Sequence, residues 1–512
     1  MNGPIRRISL VVVALVVVLL GWSTYVQVFQ MAGTATANRH GDLRTDTRNE
    51  RVLLDEYARQ RGSILAGGQV MAQSVPTEDR YKYLRTYPTD MATAYAPLTG
   101  YYSMVYSSGG IEHAEDAILN GSDDRLFGRR MIDLFSGRDP RGGNVVTTIN
   151  PTLQRVAYER LSSACGSAGP CHGAAVAIEP QTGKILALVS TPSYDPGRLS
   201  SHDLKSVRGA WEELNDDPNK PMDNRATSWT YPGIDVQGDH DRGGTVPGKG
   251  RRPGHTAHGR QTDHPARGGG TTLSNYAGMT CPSSSGGTVS LLQAFQYSCN
   301  TAFVDLATTK MQDGGEAIKQ MANNFGVNST PDPIPLPVAQ SVTGSMQYPA
   351  EVGQSAIGQL DVALTPLQNA VIAATLANGG IRMQPYLVDS YQSPDLSTFG
   401  VTAPKRAGQA ISPAVAAQMR ELMLASERNT KGSGGGVSIA SKTGTAEHSQ
   451  AQKGGEAPHA WYIGYGPAND PKVAVAVIIE NGGNQGEAAT GGSLAAPIGR
   501  AVINAAVNGQ GN

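Results

Sequence analysis

The run Ser441-Lys442-Thr443-Gly444-Thr445 sets an amine and several hydroxyls on consecutive residues, beside a glycine whose backbone can be approached closely. Upstream, Tyr297-Ser298-Cys299-Asn300 adds a hydroxyl and a carboxamide. These residue types suit serine acyl transfer, in which a hydroxyl attacks a carbonyl, a base takes its proton and N–H donors meet the oxyanion. Lys-Thr-Gly and Ser-x-Asn belong with a third motif, Ser-x-x-Lys, which supplies nucleophile and base. No Ser-x-x-Lys occurs anywhere in the 512 residues. The pattern points to acyl transfer while the attacking group is missing.

The elements that must position these residues read as mixed α/β. Val145-Val146-Thr147-Thr148-Ile149-Asn150 is a β-branched run that meets a helical pattern over 152–161, with Asn150 as N-cap and Pro151 at the first helical position. Two apolar strand candidates, 173–178 and 184–189, are joined by Glu179-Pro180-Gln181-Thr182-Gly183, a link punctuated as a hairpin turn would be. Later, a helix over 364–377, capped by Asn378-Gly379-Gly380, alternates with strands over 461–465 and 473–480. Nearer the start, Arg59-Gln60-Arg61-Gly62-Ser63-Ile64-Leu65 reads as a charged turn entering a short strand.

With 42 basic and 43 acidic residues the chain is near neutral, so its charge gives no sign of a nucleic-acid partner. At about 150 residues per domain, its length predicts roughly two to three domains. Arg6-Arg7 precede an apolar run over 8–29 that is long enough to span a bilayer as a helix. The arginines favour a cytoplasmic N-terminus, so an uncleaved signal anchor is expected, with everything after it facing outward. A cleaved signal peptide is the alternative, for which Thr34-Ala35-Thr36-Ala37 offers small residues. The four cysteines fit an oxidising compartment, and their short separations suggest Cys165 with Cys171 and Cys281 with Cys299 as disulfides. Neither pair has the spacing of a zinc site, and no cofactor signature is present.

Taken in order, these words resemble a class B penicillin-binding protein of the actinobacterial A type along nearly the whole chain. Besides the anchor, Ser298-x-Asn300 and Lys442-Thr443-Gly444-Thr445, the residues that carry the likeness are Arg61-Gly62-x-Ile64, Thr148-Ile149-Asn150 with Leu153-Gln154, and Ala177-x-Glu179-Pro180-x-Thr182-Gly183-x-Ile185-Leu186-Ala187. Ser193-Tyr194-Asp195-Pro196, Asn224-Arg225-Ala226 and Gly358-Gln359 with Thr365-Pro366-Leu367-Gln368 complete the set. Each word alone is weak, since Lys-Thr-Gly is more often a surface turn and Ser-x-Asn a capped turn; order and spacing are specific. The resemblance implies that the Ser298 hydroxyl shares in proton relay and the Asn300 amide grips the substrate backbone. Lys442 and Thr443 would bind the substrate carboxylate, Gly444 would admit the backbone, and the Thr445 N–H would supply half of the oxyanion hole.

The family's nucleophile would follow Asn224-Arg225-Ala226-Thr227-Ser228-Trp229-Thr230-Tyr231-Pro232, yet there the chain changes character. From 233 to about 270 it is dense in Gly, Arg, Asp and His and nearly devoid of apolar residues. An inserted loop and a metal site of His240, His255, His258 and His264 are two readings, though the histidines lack a paired spacing. A third accounts for more: the stretch is normal coding sequence in the wrong frame. Joining the last two bases of each codon to the first of the next lets 233–243 be re-read as GSTFKVITTA, which restores Ser-x-x-Lys in place. Likewise 251–268 can be re-read as a loop leading back to Thr271-Thr272-Leu273-Ser274-Asn275-Tyr276.

The expected organisation is a cytoplasmic tail (1–7), a signal anchor (8–29), a non-catalytic pedestal (30–150) and a penicillin-binding transpeptidase domain (151–512) with an antiparallel sheet between helices. Implied by the resemblance are D,D-transpeptidation of peptidoglycan stem peptides ending in D-Ala-D-Ala, acylation by β-lactams, and glycosyltransferase and division partners at the plasma membrane. A catalytically inactive division scaffold is the rival. A β-lactamase or β-lactam sensor is disfavoured by the long pedestal and by the lack of a deacylating glutamate motif or signalling module. His448 and His459, after the Lys-Thr-Gly strand, read as a solvated loop.

Overall fold

The computed structural model describes residues 12–22, most of 54–232, short pieces between 256 and 282, then 288–432, 436–446, 457–483, 485 and 490–509. The strands that build its two main sheets are β1 (Ile64–Ala66), β2 (Gln69–Pro76), β3 (Tyr83–Thr86), β4 (Asn144–Thr147), β5 (Gly173–Ile178), β6 (Ile185–Thr191), β7 (Val388–Gln392), β8 (Thr398–Val401), β9 (Ala440–Ala446), β10 (His459–Gly466) and β11 (Val473–Ile479). One sheet has the order β8-β7-β4-β1-β2-β3, the other β9-β10-β11-β5-β6.

Every neighbouring pair of the second sheet is antiparallel, and helices cover both of its faces. Along β11, Val473, Val475, Val477 and Ile479 pack with α1 (Pro151–Ser163) and α6 (Ala496–Asn508). The alternate residues Ala474, Ala476 and Ile478 pack on the side of α4 (Pro366–Ala377). Burial on both faces explains why β5 and β11 are continuous apolar runs rather than alternating ones. This is the antiparallel sheet between helices that the sequence predicts.

Local chemistry fixes the helix ends. The Asn150 side chain accepts from the N–H groups of Thr152 and Leu153, at 3.0 and 3.2 Å, and Pro151 opens α1. Thr365 caps α4 through the Gln368 N–H at 3.0 Å. That helix ends at Asn378, and Gly379 and Gly380 follow at φ +63° and +85°; a Cβ on Gly380 would lie 2.1 Å from the Ile411 carbonyl oxygen. The predicted helix start at 364 is displaced because Leu364 belongs to a short strand pairing with Tyr231. Disulfides join Cys165 to Cys171 and Cys281 to Cys299.

The first sheet differs from a pedestal built only of residues before 150, because β7 and β8 come from the second half of the chain and β7 pairs with β4. A tight joint accompanies the crossing. The Thr148 hydroxyl donates to the Ile185 carbonyl at 2.7 Å, the Thr148 N–H to Leu387 O at 2.8 Å and the Ile185 N–H to Tyr386 O at 3.0 Å. Gly183, at φ +85°, turns where a Cβ would meet Gln384 O at 2.3 Å. Arg61 is no solvated turn residue: it is buried, with its Nε 2.7 Å from Glu112, which also takes Arg85 at 2.5 Å.

The transmembrane helix expected over 8–29 is not seen as such. Residues 12–22 are helical with exposed apolar side chains, and the rest of that run lies outside the described residues. Among the described residues no helix is long and apolar enough to cross a membrane.

Candidate active site

Among the described residues β9 is the outer strand of its sheet, with one side of its backbone ladder bonded to β10 and no strand paired on the other, the side an extended ligand would take. In the register with β10, Lys442 opposes Ile463, Thr443 opposes Tyr462, Gly444 opposes Trp461 and Thr445 opposes Ala460. Gly491 lies against this pair so closely that a Cβ there would be 2.0 Å from Trp461 O and 2.7 Å from Gly444 O. Lys442 is only 2% exposed. Its ammonium donates to the Ser298 hydroxyl and, at 2.6 Å, to the Thr443 carbonyl, with the Phe295 ring centroid 5.8 Å away. Two motifs 144 positions apart thus meet in one hydrogen bond.

The Ser298 side is a strained turn between two short helices. Helix α2 (Leu291–Gln296) starts with a capping box between Ser290 and Gln293 and ends at Tyr297. Ser298 then adopts φ +51°, a left-handed conformation that costs a non-glycine residue about 1–3 kcal/mol. Cys299, disulfide-bonded to Cys281, is the N-cap residue of α3 (Asn300–Asp305), and Asn300 is that helix's first residue. The Asn275 side chain holds the turn from behind, accepting from the Thr301 N–H at 3.0 Å. Ser298 is therefore not a capping residue; its hydroxyl is aimed at Lys442. Asn300 follows on the same turn, and Thr443, Gly444 and Thr445 continue the Lys442 strand.

The segment leading to the expected nucleophile arrives beside this strand. Arg225 is buried and donates through Nε to Glu480 at 3.0 Å and through its amino groups to the Lys220 and Asn219 carbonyls, at 3.2 and 2.7 Å. The Tyr231 hydroxyl donates to the same Glu480 oxygen at 2.7 Å, and the indole N–H of Trp461 donates to Pro232 O at 3.1 Å. Since Trp461 opposes Gly444, the chain at Pro232 is held to the strand next to β9. Burial pushes the Tyr231 phenol up, and the Glu480 carboxylate pushes it further, so it stays protonated and donates. Burial alone would raise the Glu480 carboxyl; His172, Arg225 and Tyr231 outweigh it and hold the group below its ordinary range.

From 233 to 270 only Thr256–His258, paired with Thr288–Ser290, and His264–Pro265, paired with Thr272–Leu273, are described. The expected Ser-x-x-Lys position and the side chains of His240, His255, His258 and His264 lie outside the described residues, as does His448. His459 corrects the expectation of a solvated loop. It is buried in β10 opposite Ala446, its Nδ1 accepts from the Asn481 N–H at 3.1 Å, and its ring meets Tyr231 edge to face.

Sequence reasoning missed a second buried group behind β9. The Ser441 hydroxyl donates to Glu427, the last turn of α5 (Pro413–Arg428), which also accepts from Arg500 Nε at 2.6 Å and from the Tyr462 hydroxyl at 3.3 Å. Burial, then the Glu427 carboxylate, pushes the Tyr462 phenol up. No local signal marks Glu427, one of two acidic residues on this helix with Glu421.

Residues 173–233 and 259–504 match the transpeptidase domain of penicillin-binding proteins, and 61–145 match the penicillin-binding protein A dimerisation domain. The peptidoglycan D,D-transpeptidase PbpA of Mycolicibacterium smegmatis is 52% identical over 99% of each chain, and PbpA of Mycobacterium tuberculosis is 51% identical over 100% of both. A solved structure of penicillin-binding protein A from M. tuberculosis, a ceftriaxone acyl-enzyme complex, superposes with a TM-score of 0.84 at 51% identity, covering 89% of this chain and 100% of that one. Family match, full-length identity and shared fold agree, and the chain belongs to the penicillin-binding protein transpeptidase family.

Proposed function

We propose that this protein is a peptidoglycan D,D-transpeptidase that cross-links stem peptides ending in D-Ala-D-Ala by serine acyl transfer and is acylated by β-lactams. The observation that carries this reading is the Lys442 ammonium donating to the Ser298 hydroxyl beside an open strand edge. In this reading the substrate lies along β9: Lys442 and Thr443 bind its carboxylate, Asn300 grips its backbone, and the Thr445 N–H faces the oxyanion beside the close backbone at Gly444. Ser298 passes a proton between the lysine and the reacting groups. The nucleophile belongs just after Pro232.

The apolar run over 8–29 anchors the protein in the plasma membrane, with the pedestal (30–150) and the transpeptidase domain (151–512) on the outer side. A glycosyltransferase and division proteins are its partners in this reading, as a class B penicillin-binding protein relies on a separate enzyme to polymerise the glycan. The frame reading of 233–270 draws support from the family match, which breaks between 233 and 259. The same break, with the lack of any Ser-x-x-Lys, favours a second reading in which the chain as written is an inactive scaffold of the division machinery.

Fluorescent penicillin separates the two readings. The chain as written and a second chain carrying GSTFK after Pro232 are incubated with the probe and read by gel fluorescence and intact mass. Labelling of the second chain alone, lost again on Lys442→Ala, is expected. Failure of both chains to label would sink the transpeptidase reading.

A further inference from the structure

The end of α5 touches both β9 and the turn that carries Ser298. On one side Glu427 accepts from Ser441, the residue before Lys442. On the other, the Asn429 side-chain amide donates to the Gln296 carbonyl at 3.2 Å, two residues before Ser298. We propose that Glu427 and Asn429 are positioning residues which together set the distance between Lys442 and Ser298, Glu427 by bracing β9 from behind and Asn429 by tying down the turn after α2. The proposal rests on the transpeptidase reading only for its catalytic consequence.

Three features argue for such a clamp. Among the described residues β9 is an edge strand, bonded through its ladder only to β10, so a side-chain tie from behind limits its movement away from the turn. Ser298 sits in a backbone conformation that must be held by its surroundings. Glu427 also stands where its charge does nothing for its own helix, because a carboxylate in the last turn faces the negative end of the helix dipole. Arg500, reaching from α6, offsets that charge at 2.6 Å, and its other contact, to the Lys431 carbonyl, fixes the chain just beyond Asn429. With Tyr462, which opposes Thr443, the carboxylate joins β9, β10, α5 and α6 at one point.

Hydrogen exchange on the full chain as written tests the clamp without any catalysis. Ser441→Ala and Glu427→Gln should speed exchange in 440–446 on the order of tenfold, and Asn429→Ala should do so in 297–301, while β5 and β11 keep their protection. Ser441→Thr, which keeps the hydroxyl, should restore the parent pattern. Asn429 is exposed, so its variant leaves the melting temperature in place and cannot act by unfolding the protein.

In the chain carrying GSTFK, each of the three variants should lower the penicillin acylation rate constant by about 10- to 100-fold, with the non-covalent dissociation constant moving less than about threefold. A uniform rise in exchange across the sheet, unchanged exchange, or unchanged acylation in a parent that labels would each overturn the proposal. If that parent takes no penicillin, the transpeptidase reading falls, and a rise confined to 440–446 and 297–301 still supports the clamp.

Discussion

Lys442 shows what a single residue can and cannot reveal about itself. Its motif is a short contiguous word, so it is visible in the sequence, and Ser298 is visible for the same reason. Their contact is not, because it depends on a fold that closes 144 positions. Glu480 and Arg225 meet across 255 positions and belong to no chemical word that assigns them a role, so their pairing was illegible. Glu480 makes a pH-dependent prediction. Its folded carboxyl titrates below the value of about 4.3 typical of an unfolded chain, so its stabilisation is complete above that value and fades as pH falls through the folded pKa. Urea midpoints of the parent and Glu480→Gln should therefore differ above about pH 5 and converge on acidification. Glu112, fully buried between Arg61 and Arg85, is less forgiving. Glu112→Ala leaves the buried Arg85 guanidinium without its carboxylate, while Arg61 keeps Asp116 at 2.5 Å, and should lower the unfolding free energy by about 3–5 kcal/mol in urea titrations.

Elements with their own start signals were legible. Asn150-Pro151 announces α1, Asn378-Gly379-Gly380 marks the end of α4, and the apolar runs of β5 and β11 read as strands, while the Thr365-Pro366 start of α4 lies two residues beyond the predicted 364. Strand β10 extends two residues before and one beyond the predicted 461–465, and His459 reads as loop in the sequence because a histidine after a polar stretch carries no apolar signal while Tyr231 and Asn481 supply its burial from elsewhere. Two predictions belong at this scale. Gly491→Ala must push β9 and β10 away from the following helix, so it should cost about 1–3 kcal/mol and slow penicillin labelling of the chain carrying GSTFK. Replacing Cys281 and Cys299 by serine opens a loop of 18 positions beside Ser298; calorimetry should show a loss of about 3 kcal/mol.

For the whole molecule, the family's order of motifs was legible from end to end, whereas the division of labour between the two sheets was not. The hairpin of β7 and β8 looks in sequence like any other pair of short strands; only pairing across the chain assigns it to the sheet of β1–β4. A truncation beginning at residue 151 would leave β7 without β4 and present a raw strand edge. Such a fragment should run as soluble aggregate on size exclusion, while the chain from residue 54 onward stays monodisperse. The same hairpin dictates an order of events during synthesis. The N-terminal sheet emerges first but lacks its last two strands until Val401 has left the ribosome, so β4 waits with an open flank while everything from α1 to α4 is being made. A nascent chain of this design has to be sheltered longest at the domain that appears earliest.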